Sequence, residues 1–283
     1  MKVTSITRRL ASGELHYALG RFETVRRGYS AIRRISEPSR RFKSNYTPAM
    51  PAGTLFPALS LDAVDAAMRQ DSVAMGFDLP PEILAELIEF AMTTPFQARG
   101  MERTFLREEV RNGSLPDGTR VVLALSPNPM ACPAVRRVAD DPVLMEAATR
   151  YLGYRPKKII PRVFWSFATD AGDEERRNRG QTIDWHFDVH DFAFCSASFY
   201  LTDVDRDSGA HALVRGSHRG KKLKMLLGSA NAPDDLVVSH YGADRILVIE
   251  GPAGTGFLED TSCYHRALPP KNRDRLMMML WMS

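Results

Sequence analysis

The chain has 283 residues, 44% of them hydrophobic and 25% charged, the balance of an ordinary globular protein with length for one large core. No apolar run approaches the roughly 18–20 residues of a membrane-spanning helix, and the charged N-terminus lacks a secretory apolar region. Net charge is +4, but residues 1–50 carry eleven Lys/Arg against three Glu and the remainder is net −4, so a basic arm precedes an acidic body, and the whole does not read as a nucleic-acid binder.

Within the arm, Val3, Ile6, Leu10, Leu15, Leu19, Phe22, Val25, Tyr29 and Ile32 recur at three-to-four-residue steps, predicting one or two amphipathic helices with an arginine face. The expectation is a helix packed on the body. The arginine face of residues 1–50 is left for an anionic membrane surface or an acidic partner. Residues 36–60, with Pro38, Pro48, Pro51 and Pro57, read as an extended linker, so the division is a 1–60 arm and linker and a 61–283 main domain. Short helices are expected over 61–72 and 81–94, the second opened by Pro80-Pro81, with a strand over 73–79 between them. Residues 97–120 give no clear pattern, 121–126 reads as a strand, and 135–153 as one helix stopped by Gly153.

After Lys158 the pattern turns to short strands with Gly/Pro turns. Strands are expected over 159–167, 182–190, 194–204, 236–240, 245–249, 256–259 and 276–282, with 171–181 as a charged loop. Helices first and strands afterwards suggest a mostly β fold with flanking helices, a cupin-like jelly-roll core. Cys132, Cys195 and Cys263 lack zinc or disulfide spacing and fit a reducing cytoplasm.

The chemistry centres on Trp185-His186-Phe187-Asp188-Val189-His190. Side chains two apart on a strand share a face, so His186 and Asp188 would project an imidazole and a carboxylate together, with His190 as a rival or supporting group. Two histidines and one carboxylate make the facial triad that leaves positions open on non-haem Fe(II). His265 is the candidate for the second histidine. Ten residues on, Arg275 opens an apolar strand; its planar fork suits a carboxylate, and Arg273 is the alternative.

WHFD, LTDVDRDSGAHALVRGSH, GPAGTGFLEDTSCYHRALPP and Arg275, in that order, resemble the phytanoyl-CoA dioxygenase family over roughly residues 60–283. The resemblance implies a double-stranded β-helix and an Fe(II)/2-oxoglutarate-dependent oxygenase that hydroxylates an unactivated C–H bond of a small-molecule, lipid or natural-product substrate. It also implies O2 as co-reactant and ascorbate as a supporting reductant. His186, Asp188 and His265 would hold iron, and Arg275 the distal carboxylate of 2-oxoglutarate. One departure is Ala267, where the family places a hydroxyl two residues after the distal histidine. Ser198, Tyr200 or Thr255 would have to supply it. Arg176, Arg177 and Arg179 stand before the metal strand, either as a solvated face or as a substrate contact. Alternatives are a catalytically silent cupin-like binding protein and a halogenase or desaturase branch; Asp188 stands against the halogenase, which needs that coordination position for halide.

Overall fold

The computed structural model describes residues 15–36 and 53–283, so expectations for residues 1–14 and 37–52 lie outside the described residues. Helices α1 (Leu15–Leu19) and α2 (Glu23–Ser36) come first, followed by α3 (Leu61–Asp71), strand β1 (Val73–Met75) and α4 (Pro81–Thr93). Then come β2 (Gln97–Ala98), β3 (Leu123–Leu125), α5 (Pro133–Ala139), α6 (Pro142–Leu152) and β4 (Ile159–Ser166). The second half holds α7 (Asp173–Asn178), β5 (Trp185–His186), β6 (Cys195–Tyr200), β7 (His211–Val214), α8 (Leu223–Leu227), β8 (Asn231–Ala232) and α9 (Asp234–Tyr241). It closes with β9 (Ile246–Ile249), β10 (Gly256–Glu259), β11 (His265–Ala267) and β12 (Arg275–Met282). No helix among the described residues is long and apolar enough to cross a membrane.

The strands form two antiparallel sheets. The first has the order β1-β10-β6-β12-β4-β3-β2, the second β8-β5-β11-β7-β9. From β4 to β7 the chain alternates between sheets at every strand, and again from β9 through β10 and β11 to β12. The apolar run of β12 shows why both faces of the first sheet are buried. Leu276, Met278, Leu280 and Met282 enter the large core shared with Val64 and Met68 of α3, Leu87 of α4, Val138 of α5 and Leu144 of α6. Met277, with Phe164, Tyr200 and Phe257, instead meets Leu213 and Ile249 of the second sheet. A strand buried on both faces is apolar throughout, and period-two alternation decides which layer each side chain serves. Trp185, Phe187, Ala212 and Val214 cover the outer face of the second sheet with Met225 of α8 and Val237 of α9.

Several elements differ from the sequence reading. The single helix expected over 135–153 is two, because Pro142 cannot donate into the preceding turn and Asp141 caps the new helix at Val143 and Leu144, 2.9 and 3.0 Å away. The stop at Gly153 is present, with a left-handed φ of 83°. Residues 236–240, expected as a strand, lie in α9: Asp234 and Asp235 occupy its first turn, where the helix dipole favours negative charge. The charged loop contains α7, and the long strand over 182–190 is reduced to Trp185–His186. There the backbone of Phe187 and Asp188 turns to Ala230 and Thr261 instead of extending a ladder.

Candidate metal centre and cosubstrate pocket

Strand register brings the two histidines together, since His265 on β11 stands directly across from His186 on β5. Asp188 follows two residues later, fixed by its backbone N–H donating to the carbonyl of Thr261 at 2.8 Å. Its carboxylate oxygens lie 3.9 Å from His186 Nε2 and 3.6 Å from His265 Nε2. The ligand atoms of all three residues fall within 4.8 Å of one another. Each histidine also has its other nitrogen against a backbone carbonyl: His186 Nδ1 is 2.9 Å from Asp184 O, and His265 Nδ1 is 3.1 Å from Cys263 O. A carbonyl only accepts, so both Nδ1 atoms carry hydrogen and both Nε2 lone pairs are left for the space beside Asp188. That donor set fits a divalent cation.

The charge states fit as well. Burial alone would raise the Asp188 carboxyl, but the close imidazole of His190, then the His265 and His186 rings, hold it well below the usual carboxylate range. His265 is lowered to about 4 by burial and by His186, against the pull of Asp188. A carboxylate beside neutral imidazole is what metal ligation requires. His190, the rival from the sequence, lies with Nε2 3.0 Å from Asp188 Oδ2 and its ring 4.0 Å from that of Trp281.

A second convergent set, Glu259, Cys263 and His265, shares one histidine with the first. Here Glu259 faces His211 at 2.8 Å, the Cys263 thiol donates to Glu259 at 3.2 Å, and burial pushes that thiol well up. With Glu259 fully buried and already paired, this set is a polar network backing His265, not a second cation site. Sequence reasoning gave His211 no role. Its only signal is the pairing of β7 with β11, which the sequence does not display.

Between the sheets lies a cavity of about 200 Å³ that contains the His186, Asp188 and His265 side chains and, from β12, Arg275. Arg275 is 4% exposed. It donates to the carbonyl of Gly209, whose left-handed φ of 94° turns the chain there, and to Ser166 Oγ at 3.1 Å, while its Nε has no partner among the described residues. Arg273 instead pairs at the surface with Asp205. The three hydroxyls suggested for the cosubstrate are placed elsewhere. Tyr200 donates to Ile249 O at 2.8 Å and accepts from the backbone of His211 at 2.9 Å; Ser198 packs between Met279 and Phe257; Thr255 precedes β10. None lines the cavity, whereas Ser166, Gln181, Thr182 and Ala267 do. Nor do the loop arginines face it. Arg176 is buried against Ala171, Thr169, Gln181 and Pro270, Arg177 forks onto Asp184 at 2.6 and 2.9 Å, and Arg179 holds Glu175.

No family model and no curated protein matches the sequence. Solved structures do match. EvdO2 from Micromonospora carbonacea var. aurantiaca, complexed with 2-oxoglutarate, superposes with a TM-score of 0.55 at 14% identity over 81% of this chain and 93% of that one. EctD from S. alaskensis, with 2-oxoglutarate and 5-hydroxyectoine, gives 0.54 at 16% over 83% and 82%. The non-haem α-ketoglutarate-dependent epimerase SnoN from nogalamycin biosynthesis gives 0.52 at 16% over 79% and 83%. The chain shares the fold of these proteins. At such identities the likeness speaks for the fold, and the chemistry rests on the cavity.

Proposed function

We propose that the chain is an Fe(II)/2-oxoglutarate-dependent oxygenase that hydroxylates a C–H bond of a small molecule, within a 61–283 domain wound as a double-stranded β-helix. The alternation of strands between the two sheets and the shared fold support the winding. One observation carries the function: a tautomer-fixed His186–Asp188–His265 set and a buried arginine, without a counter-ion among the described residues, line the same cavity. Bound by the three residues, Fe(II) would supply the redox chemistry by which O2 converts 2-oxoglutarate to succinate and CO2 and a substrate C–H to C–OH.

The protein's own part is placement. Arg275 and Ser166 hold the distal carboxylate of 2-oxoglutarate, with Ser166 supplying the hydroxyl that Ala267 lacks. Asp188 offsets part of the cation's charge and occupies the position a halide would need, so the product gains oxygen even in excess chloride. Leu123, Leu125, Phe164, Met277 and Met279 exclude water from the space between.

The test is iron content together with succinate release from 2-oxoglutarate. One iron per chain and O2-dependent succinate support the reading. Failure to bind 2-oxoglutarate in the iron-loaded protein, or a chlorinated product, overturns it.

A further inference from the structure

Among the described residues, Arg162 is the one that lines the cavity with a charge the proposed iron and 2-oxoglutarate roles leave unused. It sits on β4 with Phe164 and Ser166, and the three side chains line the cavity at every second position. Ser166 marks the end where Arg275 holds the cosubstrate. At about 3.3 Å per residue, Arg162 stands roughly 13 Å along the strand from that end. Among the described residues no carboxylate, carbonyl or hydroxyl accepts a hydrogen bond from its guanidinium.

What it does touch is Trp281, with Cζ 3.8 Å from the ring centroid. That indole also lies 4.0 Å from the His190 ring, whose Nε2 is 3.0 Å from Asp188. One aromatic ring therefore separates a free guanidinium from the imidazole that touches the metal-set carboxylate. A guanidinium stacked on an indole keeps its N–H edge free for hydrogen bonding. Burial disfavours its charge, and Asp188 is the acidic group that offsets this. Phe164, Leu125, Met277 and Met279 line the same cavity and offer only apolar surface.

We propose that Arg162, backed by Trp281, binds an anionic oxygen group of the primary substrate, so that the substrate is a compact apolar molecule with one carboxylate, phosphate or sulfate. This rests on the oxygenase reading and adds the substrate class to it. The anion is held at the Arg162 end, the apolar stretch lies along Phe164 and Met279, and the reacting carbon faces the metal set. A planar fork gives bidentate hold on such a group, which fixes orientation as well as affinity.

The experiment uses the full chain loaded with iron and saturated with 2-oxoglutarate under anaerobic conditions, so that Arg275 is occupied and nothing turns over. Straight-chain acids of four to ten carbons, the matching primary amides, and alkyl phosphates and sulfates of the same lengths are titrated by calorimetry. At least one anion series should bind roughly ten- to a hundredfold more tightly than its amide, the range for a charge-assisted contact. The preferred series tells carboxylate from phosphate or sulfate. In Arg162→Gln the preference should fall to near one, with the amide as internal control for an intact cavity. Arg162→Lys, which keeps a point charge without the fork, should retain part of it, and this variant decides the matter if the glutamine protein does not fold. Amides binding as well as every anion, no binding by any series, or a preference that survives Arg162→Gln overturns the proposal. The oxygenase reading fails differently, by loss of 2-oxoglutarate binding to the iron-loaded parent before any anion is added.

Discussion

Arg275 is a cation buried among neutral groups, and this makes it the most informative single side chain. Its hydrogen-bond acceptors among the described residues are the Gly209 carbonyl and the Ser166 hydroxyl, with no carboxylate. An isolated buried charge is costly unless an anion completes it, so the protein alone leaves the site electrostatically unfinished. Arg275→Lys keeps the charge and loses the fork. It should raise the 2-oxoglutarate concentration for half-maximal succinate release roughly ten- to a hundredfold. Ser166→Ala removes one hydrogen bond to the carboxylate, about 1.5 kcal/mol, and should raise it roughly tenfold. An unchanged requirement in both variants would remove the cosubstrate from this end of the cavity. At the other end, His265→Ala should abolish iron binding measured by metal analysis while circular dichroism stays that of the parent; full iron occupancy would show that the ligand set lies elsewhere.

At the scale of elements, α1 and α2 hold both segments that carry the metal set. Arg26 of α2 donates to Asp260, Ser262 and the carbonyl of His218, and Tyr151 also donates to Asp260. The neighbouring Thr261 carbonyl is the one that holds Asp188. Tyr29 stacks on Phe192 at 5.1 Å, and Gly20 sits so close to the Asp191 carbonyl that a Cβ there would come within 2.9 Å of it. Arg26→Ala leaves the buried Asp260 carboxylate to Tyr151 and the Ser262 N–H without the cation it pairs with, a loss of about 3 kcal/mol by analogy with broken buried pairs. Thermal melting should show a clear drop, and residual activity should fall with it, because the 260–262 turn positions Asp188. A melting temperature equal to the parent's would show that the helix is not coupled to the body. The sequence made much of this readable and some of it not. His186, Asp188, His265 and Arg275 stand in a recognisable order, and β12 is evident as an apolar run. Ser166, His211 and Arg162 were invisible because their roles depend on which strands pair, and pairing across a hundred residues leaves no local pattern. Residues 236–240 read as a strand because a short apolar run with valines fits both periods, and the two aspartates before it are the local signal for the helix at 234–241.

For the whole molecule, two buried histidines in different regions set how stability responds to acid. His218, 7% exposed beneath α2, is lowered to about 4 chiefly by burial, against the pull of Asp260. His265 is lowered to about 4 by burial and by His186. In the unfolded chain both take up a proton near pH 6.5. Between pH 6.5 and about 4 the unfolded state therefore binds protons that the folded state refuses, and folding stability declines as pH falls through that window. Each histidine contributes at most about 3 kcal/mol across it, from 1.36 kcal/mol per pH unit. The depressed carboxyls of Asp188, Glu259 and Asp260 act only lower down: their contribution is present above the unfolded carboxylate range and is lost as pH falls beneath it. Urea unfolding of the metal-free protein at pH 7, 6 and 5 should show a progressive fall in midpoint. His218→Gln cannot take up the proton in either state, so its midpoint should fall less steeply over the same range. Iron at saturating concentration should raise the midpoint at each pH without removing its fall, because a ligated His265 still refuses the proton that the unfolded chain takes up, while the bound metal adds stability. A midpoint that does not change from pH 7 to 5 would mean that His218 and His265 take up protons as readily in the folded protein as in the unfolded chain, against the burial of both.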